Sequence, residues 1–280
     1  MLAGAHISIG GSIDKAIDRA LKLGCNTFQI FTRNPRGWQQ SSLKEESIQL
    51  FREKLSSSNL VLPLIHMPYL PNIASPVDQT YNRSTDVLTE ELRRCSLLGI
   101  PYVVTHVGSH LGSGIKRGMG RVVEACNKAL ELSGGGSTIL LENTAGTRNS
   151  VGSTFEHLGD MIQRIKPQGR VGLCLDTCHA FAAGYDLRTV SDVRHTLELL
   201  HSIIGMEFLK AVHVNDSKGA LGEGLDRHEH LGMGQIGEDG LRALLSQKPL
   251  RKVPAIIETP IDGRRDDVGN LQKLKELGQN

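Results

Sequence analysis

The sequence predicts a (β/α)8 TIM barrel with its chemistry at the carboxyl ends of the strands, and three observations carry that prediction. Eight short apolar runs rich in β-branched residues recur along the chain, segments of helical periodicity separate them, and the length of 280 residues suits eight such units in one domain over residues 1–280. Strands that alternate with amphipathic helices imply a parallel sheet, and eight βα units close into a barrel at about 250 residues. An open doubly wound sheet is the competing architecture. Neither a GxGxxG after the first run nor a Walker loop is present to support nucleotide binding of those types.

In chain order, the run at 3–7 leads into a segment at 12–23 whose apolar residues lie three and four apart, the spacing that gathers them on one helix face. The run at 27–31 precedes 43–56, that at 61–65 precedes 81–98, and that at 102–107 precedes 118–132, each longer segment with the same spacing. Three glycines at 134, 135 and 136 stop the fourth helix before the run at 138–141. That run pairs with 154–165, the run at 171–175 pairs with 187–204, and the runs at 209–214 and 255–257 complete the eight.

Composition narrows the function classes. Hydrophobic content of 39% and charged content of 22% are those of an ordinary soluble enzyme. A net charge of only +2 excludes the bulk cationic surface of a nonspecific nucleic-acid binder, so an anionic partner must be gripped locally. No apolar run approaches the roughly 20 residues of a membrane span, and the N-terminus lacks a signal pattern; a cytoplasmic protein without a membrane partner is expected. Five cysteines, at 25, 95, 126, 174 and 178, are odd in number and scattered, which argues for reduced thiols. Cys174 and Cys178, which flank Asp176 in CLDTC, read as small buried residues beside a site and not as ligands.

The ends of the runs carry the chemistry. The first ends at His6, the third at His66, the fourth at His106, the fifth at Glu142, the sixth at Asp176 with His179 three residues on, the seventh at His213 and the eighth at Glu258. Seven of the eight therefore deliver a ligand-type residue. Alone, a strand-end histidine is usually a hydrogen-bonded rim residue and an acid usually caps the next helix. Together at one face of a barrel, unpaired imidazoles and carboxylates would be costly, and metal ions resolve the conflict. The glycine-rich stretch 211–234 adds Asp226 and His228, whose spacing turns both side chains to one side of an extended segment. The nine candidates His66, His106, Glu142, Asp176, His179, His213, Asp226, His228 and Glu258 exceed what one ion takes, since a catalytic zinc uses about three protein ligands and paired ions share a carboxylate. Five imidazoles and four carboxylates suit zinc or manganese better than magnesium or calcium, on two or three ions. Three divalent ions would outweigh the carboxylates and leave a positive pocket fit for a phosphodiester.

The blocks GAHIS, FTRNPRGW, HMPYL, THVGSH, LLENTAG, CLDTCHAFAAGYD, HVNDSKGALGEGLDRHEHLGMGQIG and IIETP run through the whole chain. In them the sequence resembles the endonuclease IV family (AP endonuclease family 2), zinc-dependent apurinic/apyrimidinic endonucleases of base excision repair in the xylose isomerase-like superfamily. The sixth and seventh blocks are the most specific. The resemblance implies three Zn2+ ions, with Mn2+ an alternative at one or more sites. His66, His106 and a bridging Glu142 would hold one, Glu142, Asp176, His213 and Glu258 the second, and His179, Asp226 and His228 the third. It implies hydrolysis of the phosphodiester 5′ to an abasic site in double-stranded DNA, with Glu142, Glu258 and His106 at the reacting centre. The products would be a 3′-hydroxyl and a 5′-deoxyribose phosphate, and blocked 3′ ends would also be trimmed.

The same resemblance places Arg36, Tyr69 and Leu70 where they would wedge into DNA and help to extrude the abasic nucleotide. Gly37 departs from the larger polar residue of the familiar bacterial members, which predicts a smaller wedge. Glu229 and His230 also vary from those members and are given no ligand role. His6 is expected to orient a ligand or line the pocket, and a monomer is expected. The alternative on the same fold is a metal-dependent sugar isomerase or epimerase of the xylose isomerase type. That reading leaves the Asp226 and His228 pair and the basic FTRNPRGW loop without a use.

Overall fold

The computed structural model describes residues 1–39 and 42–279. Eight parallel strands follow one another around a barrel: β1 (Leu2–Ala5), β2 (Gln29–Ile30), β3 (Leu64–His66), β4 (Tyr102–His106), β5 (Thr138–Glu142), β6 (Val171–Asp176), β7 (Leu209–His213) and, after a two-stranded ribbon of β8 (Asp216–Ser217) and β9 (His228–Glu229), β10 (Pro254–Ile257). The ladder runs continuously from β2 round to β1. A bridge between His6 and Gln29, with the Ile7 amide donating to the Gln29 carbonyl at 2.7 Å, joins β1 to β2 and closes the ring. Close approach at this seam depends on Gly4, where a Cβ would run into the Thr27 carbonyl.

The crossover helices are α1 (Lys15–Leu23), α2 (Glu45–Ser56), α3 (Asp78–Leu98), α4 (Ile115–Ser133), α5 (Phe155–Arg164) and α7 (Val190–Ile203), with a one-turn-plus helix α6 (Thr177–Ala182) directly after β6. Two more helices, α8 (Gly237–Leu245) and α9 (Asp267–Leu277), complete the outer ring, although the three-and-four spacing did not single them out. The boundaries have local causes. The Thr154 and Thr189 hydroxyls accept from the His157 and Asp192 amides and start α5 and α7, while Gly24 and Gly99, both left-handed, end α1 and α3. The third strand lies further along than the run at 61–65 predicts. Leu62 takes a positive φ of 48° before Pro63, which leaves Val61 exposed and delays the strand to Leu64–His66. Among the described residues no helix is long and apolar enough to cross a membrane.

The barrel interior is layered. Leu64, Val104, Leu140, Cys174, Ala211 and Ile256 form a buried apolar cluster of their own, separate from the larger one between sheet and helices. They come from six different strands, and on every one of those strands the residue two positions further on is a candidate ligand: His66, His106, Glu142, Asp176, His213 and Glu258. Side chains alternate faces along a strand, so each ligand points the same way as its apolar neighbour, about 6.6 Å nearer the carboxyl end. One irregularity matters here. The register between β6 and β7 shifts after Leu173, and this single extra residue on β7 sets Asp176 opposite His213 instead of Val212.

Candidate metal centre

The nine predicted ligand residues converge at the carboxyl end of the barrel, around a cavity of about 210 Å³ lined by His66, Tyr69, His106, His179, Asp226, His228 and Glu258. They fall into three groups whose ligand atoms lie within 4.8 Å of one another, His66, His106 and Glu142; Glu142, Asp176, His213 and Glu258; and His179, Asp226 and His228, while a fourth group sets the Cys178 thiol beside Asp176 and His228. Glu142 belongs to two of them. Exposure rises outward, from Glu142, Asp176 and His213, which are fully buried, to Asp226, which is exposed.

Four of the imidazoles have one ring nitrogen committed to an oxygen that can only accept. His66 Nδ1 donates to the Met67 carbonyl at 2.6 Å, His179 Nδ1 to the Asn143 carbonyl at 2.9 Å, and His228 Nδ1 to the Glu258 carbonyl at 2.9 Å. His213 donates through Nε2 to Gln29 Oε1 at 2.8 Å. In each neutral ring the other nitrogen must then carry a lone pair, and each of those lone pairs faces carboxylates. His66 Nε2 is 3.3 Å from Glu142 Oε2, His179 Nε2 is 3.1 Å from Asp226 Oδ1, and His213 Nδ1 is 3.0 Å from Glu142 Oε1 and 3.3 Å from Glu258 Oε2. His228 Nε2 is buried and has no hydrogen-bond partner, with Asp176 Oδ2 and Asp226 Oδ1 both at 3.7 Å. Lone pairs opposite carboxylate oxygens repel unless a cation lies between them. The donor set therefore fits divalent ions of the zinc type, for which imidazole and carboxylate are ordinary ligands.

The titration behaviour follows from the same geometry. Burial alone would push His179 down, but Asp176, Asp226 and Glu142 outweigh it and carry its pKa to about 10. Burial would raise Glu142, yet His106, His213 and His66 hold it well below the usual carboxyl range. Asp226, beside His179 and His228, falls to about 2 despite its own desolvation. His106 and His6 go the other way, since burial dominates and both are lowered. Burial pushes the Cys174 and Cys178 thiols up to about 12, so without a metal both stay protonated, although Cys178 lies within reach of Asp176 and His228.

Several supporting residues escaped the sequence reading. Asn215 donates to Asp176 Oδ2 at 2.7 Å and accepts from the Glu258 amide, and Asn143 brackets the Asp176 backbone from both sides. Asp176 also caps α6, its Oδ1 accepting from the His179 amide at 2.7 Å, so one carboxylate positions the next ligand. The buried carboxylate of Asp216 accepts from the amides of Gly232, Gly234 and Ile236 and folds the glycine-rich loop back on β8. Glu229 and His230 are locks of that loop: Glu229 takes a forked pair from Arg264 at 2.8 and 2.9 Å, and His230 donates to Asp262 at 3.0 Å. Gln29, on β2, joins this layer through hydrogen bonds to Glu258 and His213, and its place in the second apolar run is the one signal the sequence offers for it.

The predicted DNA-contacting residues stand outside the ligand cluster. Tyr69 lines the cavity with its ring 6.4 Å from His66 and 5.1 Å from Phe31, and it is 58% exposed, with Leu70 at 41% beside it. Arg36 is exposed on the neighbouring loop, which is tied to Tyr69 by the Tyr69 amide donating to the Pro35 carbonyl at 3.1 Å. His6 packs at 4.2 Å against Phe31 and lies 3.6 Å from Glu258, outside the three groups. Ile261, 81% exposed, adds an apolar side chain on the same rim that the sequence reading did not single out.

Comparison with known proteins bears on the whole chain. The family model described as a xylose isomerase-like TIM barrel matches residues 17–277. A protein of Methanoculleus marisnigri named "Probable endonuclease 4" is 53% identical over 278 residues, covering 99% of both chains, and one of the same name from Nitrosopumilus maritimus is 49% identical over 279 residues, covering 99% of this chain and 100% of its own. The crystal structure of endonuclease IV from Thermus thermophilus superposes with a TM-score of 0.88 at 36% identity, covering 98% of this chain and 97% of that one. A D-tagatose 3-epimerase-like protein superposes with a TM-score of 0.75 over 99% of this chain and 97% of its own, and at 21% identity that likeness is one of fold alone.

Proposed function

From the premise that the chain belongs to the endonuclease IV family, we propose that it is a DNA repair endonuclease that hydrolyses the phosphodiester 5′ to abasic sites in duplex DNA. The observation that carries the reading is the division of nine ligand-type side chains into three groups, two of which share the fully buried Glu142. His66, His106 and Glu142 would hold one ion, Glu142, Asp176, His213 and Glu258 a second, and His179, Asp226 and His228 a third, zinc first and manganese where the set is richest in oxygen. When bound, the ions would supply an acidified water as nucleophile and positive charge for the phosphate and the departing 3′ oxygen.

The chain's own residues do the rest. Glu142, placed between two groups, sets the spacing of their ligands, and His106, on the open side of the same cavity, faces an incoming phosphate. Glu258 lines the cavity on its opposite wall and meets His213 at its base. Asp226 and His228 come from the glycine-rich loop that Asp216 pins, which makes the outer group the one nearest solvent. On the rim, Arg36, Tyr69 and Leu70 expose a cation and two bulky side chains, which would fill the gap left by an extruded nucleotide. Gly37, where a Cβ would meet Asn34 and the Gln39 amide only at ordinary contact distance, leaves that wedge small. The products would be a 3′-hydroxyl and a 5′-deoxyribose phosphate, and blocked 3′ ends would enter the same cavity for trimming. The chain would act as a monomer through one domain over residues 1–280.

The test is an end-labelled duplex carrying one tetrahydrofuran abasic analogue, incubated with the protein beside chelator-treated and undamaged controls. The analogue blocks β-elimination, so a single cut 5′ to the lesion with a 3′-hydroxyl, abolished by prolonged chelation, is the expected result. Metal-loaded protein that makes no cut would overturn the nuclease reading and direct attention to sugar substrates.

A further inference from the structure

Seven strands of the barrel lead into a ligand-type residue, and the eighth, β2, carries an amide, Gln29, as its first residue. Gln29 is fully buried, and its side chain makes three hydrogen bonds within the ring: Nε2 to Glu258 Oε1 at 2.6 Å, Nε2 to His6 Nδ1 at 3.1 Å, and Oε1 to His213 Nε2 at 2.8 Å. Which end of the amide is oxygen follows from Glu258. A carboxylate has no proton to give, so the atom 2.6 Å from it must be the NH2 group. The oxygen then faces His213, which can satisfy it only by carrying its proton on Nε2. That leaves the His213 Nδ1 lone pair aimed at Glu142, Glu258 and Asp176, at 3.0, 3.3 and 3.9 Å. The amide also occupies Oε1 of Glu258, so Oε2 is the oxygen turned to the same point.

We infer that Gln29 is a positioning residue for the group formed by Glu142, Asp176, His213 and Glu258, fixing the tautomer of His213 and the free oxygen of Glu258 so that both serve one divalent ion. The inference rests on reading that group as a metal site. Gln29 touches neither substrate nor ion itself; it acts through two ligands at once. Partners of this kind change metal affinity by about 10- to 100-fold when removed. Only the group that contains both His213 and Glu258 is exposed to its loss, because the other groups contain neither residue.

The experiment uses Gln29→Met, which keeps the length and removes all three bonds, with Gln29→Ala as the second variant should methionine not be accommodated. Wild type and variant are loaded with zinc, their metal is counted by mass spectrometry, and its loss to a chelator is followed in time. One ion per chain should leave the variant about 10- to 100-fold faster while the others leave at the wild-type rate. kcat should fall in step, with KM for abasic duplex unchanged because the rim residues are untouched. Melting temperatures of zinc-loaded and chelated forms separate positioning from packing: the gap between variant and wild type should be larger in the loaded form. Release curves identical to wild type would overturn the inference. So would faster loss of every ion together with an equal drop in the melting temperature of the chelated form. A Glu258→Gln protein that retains the full wild-type complement of zinc would instead overturn the reading of the group itself.

Discussion

Two layers of the same barrel interior, separated by two residues on each strand, differ in what holds them together. The lower layer, Leu64, Val104, Leu140, Cys174, Ala211 and Ile256, is apolar and closed by its own packing. The upper, His66, His106, Glu142, Asp176, His213 and Glu258, has the same backbone geometry and the same inward direction, yet it sets the lone pairs of His66 and His213 against carboxylate oxygens at 3.0 to 3.3 Å. One layer is stable as it stands, and the other needs a cation among its members. Period-two alternation explains where both are, and only side-chain chemistry explains why the upper one suits a cation.

The widest expected difference between the layers is seen by breaking each once. Glu142→Gln removes charge from two ligand groups and should lower incision of an abasic duplex by ~10³-fold or more, the scale of several kcal/mol of electrostatic stabilisation. Near-normal turnover would refute its bridging place. Leu140→Ala, two residues earlier on β5, should cost about 2–5 kcal/mol of stability through the cavity it leaves. Denaturant melts should give that loss equally in zinc-loaded and chelated protein. A loss confined to the loaded form would mean that the two layers are not separable.

A third contrast uses pH on the chelated protein, where protons must take the place of ions. The His179 pKa is raised from 6.5 to about 10, so its contribution to stability is fully present below 6.5 and is lost as pH rises through about 10. Glu142 is held well below its ordinary 4.5, so its contribution is present above that value and lost on acidification. Chelated protein should therefore melt highest at about pH 5–7 and fall toward pH 10, whereas zinc-loaded protein should keep its melting temperature there. A chelated form equally stable at about pH 10 and about pH 6.5 would show that the upper layer is not held by shared protons.

How much of this was legible in the sequence divides along the same line. The barrel, and the convergence of the nine candidate residues at its carboxyl end, were readable because strand-end position and residue type are local properties, and the seventh run with its glycine-rich loop added Asp226 and His228. Gln29 was not found, because an amide is not among the ordinary ligands of zinc and β2 shows only two residues of ladder. Asn143, Asn215 and Asp216 were missed for a related reason: each matters through hydrogen bonds to residues brought near by folding, such as the 39-position reach from Asn215 to Asp176. Glu229 and His230, placed by sequence outside the ligand set, are held outside it by Arg264 and Asp262, partners whose contacts no spacing rule announces.

The smallest effect is expected at the rim, and it tests whether ligand layer and DNA surface are independent. Arg36 is exposed, and its stretch meets Tyr69 through the Pro35 carbonyl and the Phe31 ring, with no hydrogen bond or ion pair from the Arg36 side chain to any of the nine candidates among the described residues. Arg36→Ala should therefore leave zinc content and melting temperature at wild-type values while weakening binding to abasic duplex by roughly tenfold, about 1.4 kcal/mol. If the guanidinium meets a phosphate, the slope of log affinity against log salt should flatten by about one unit, since one fewer counterion is released. If it enters the duplex at the lesion instead, affinity for abasic DNA should fall more than affinity for intact DNA with the slope little changed. Loss of zinc from this variant would join the rim to the upper layer and undo the separation between them.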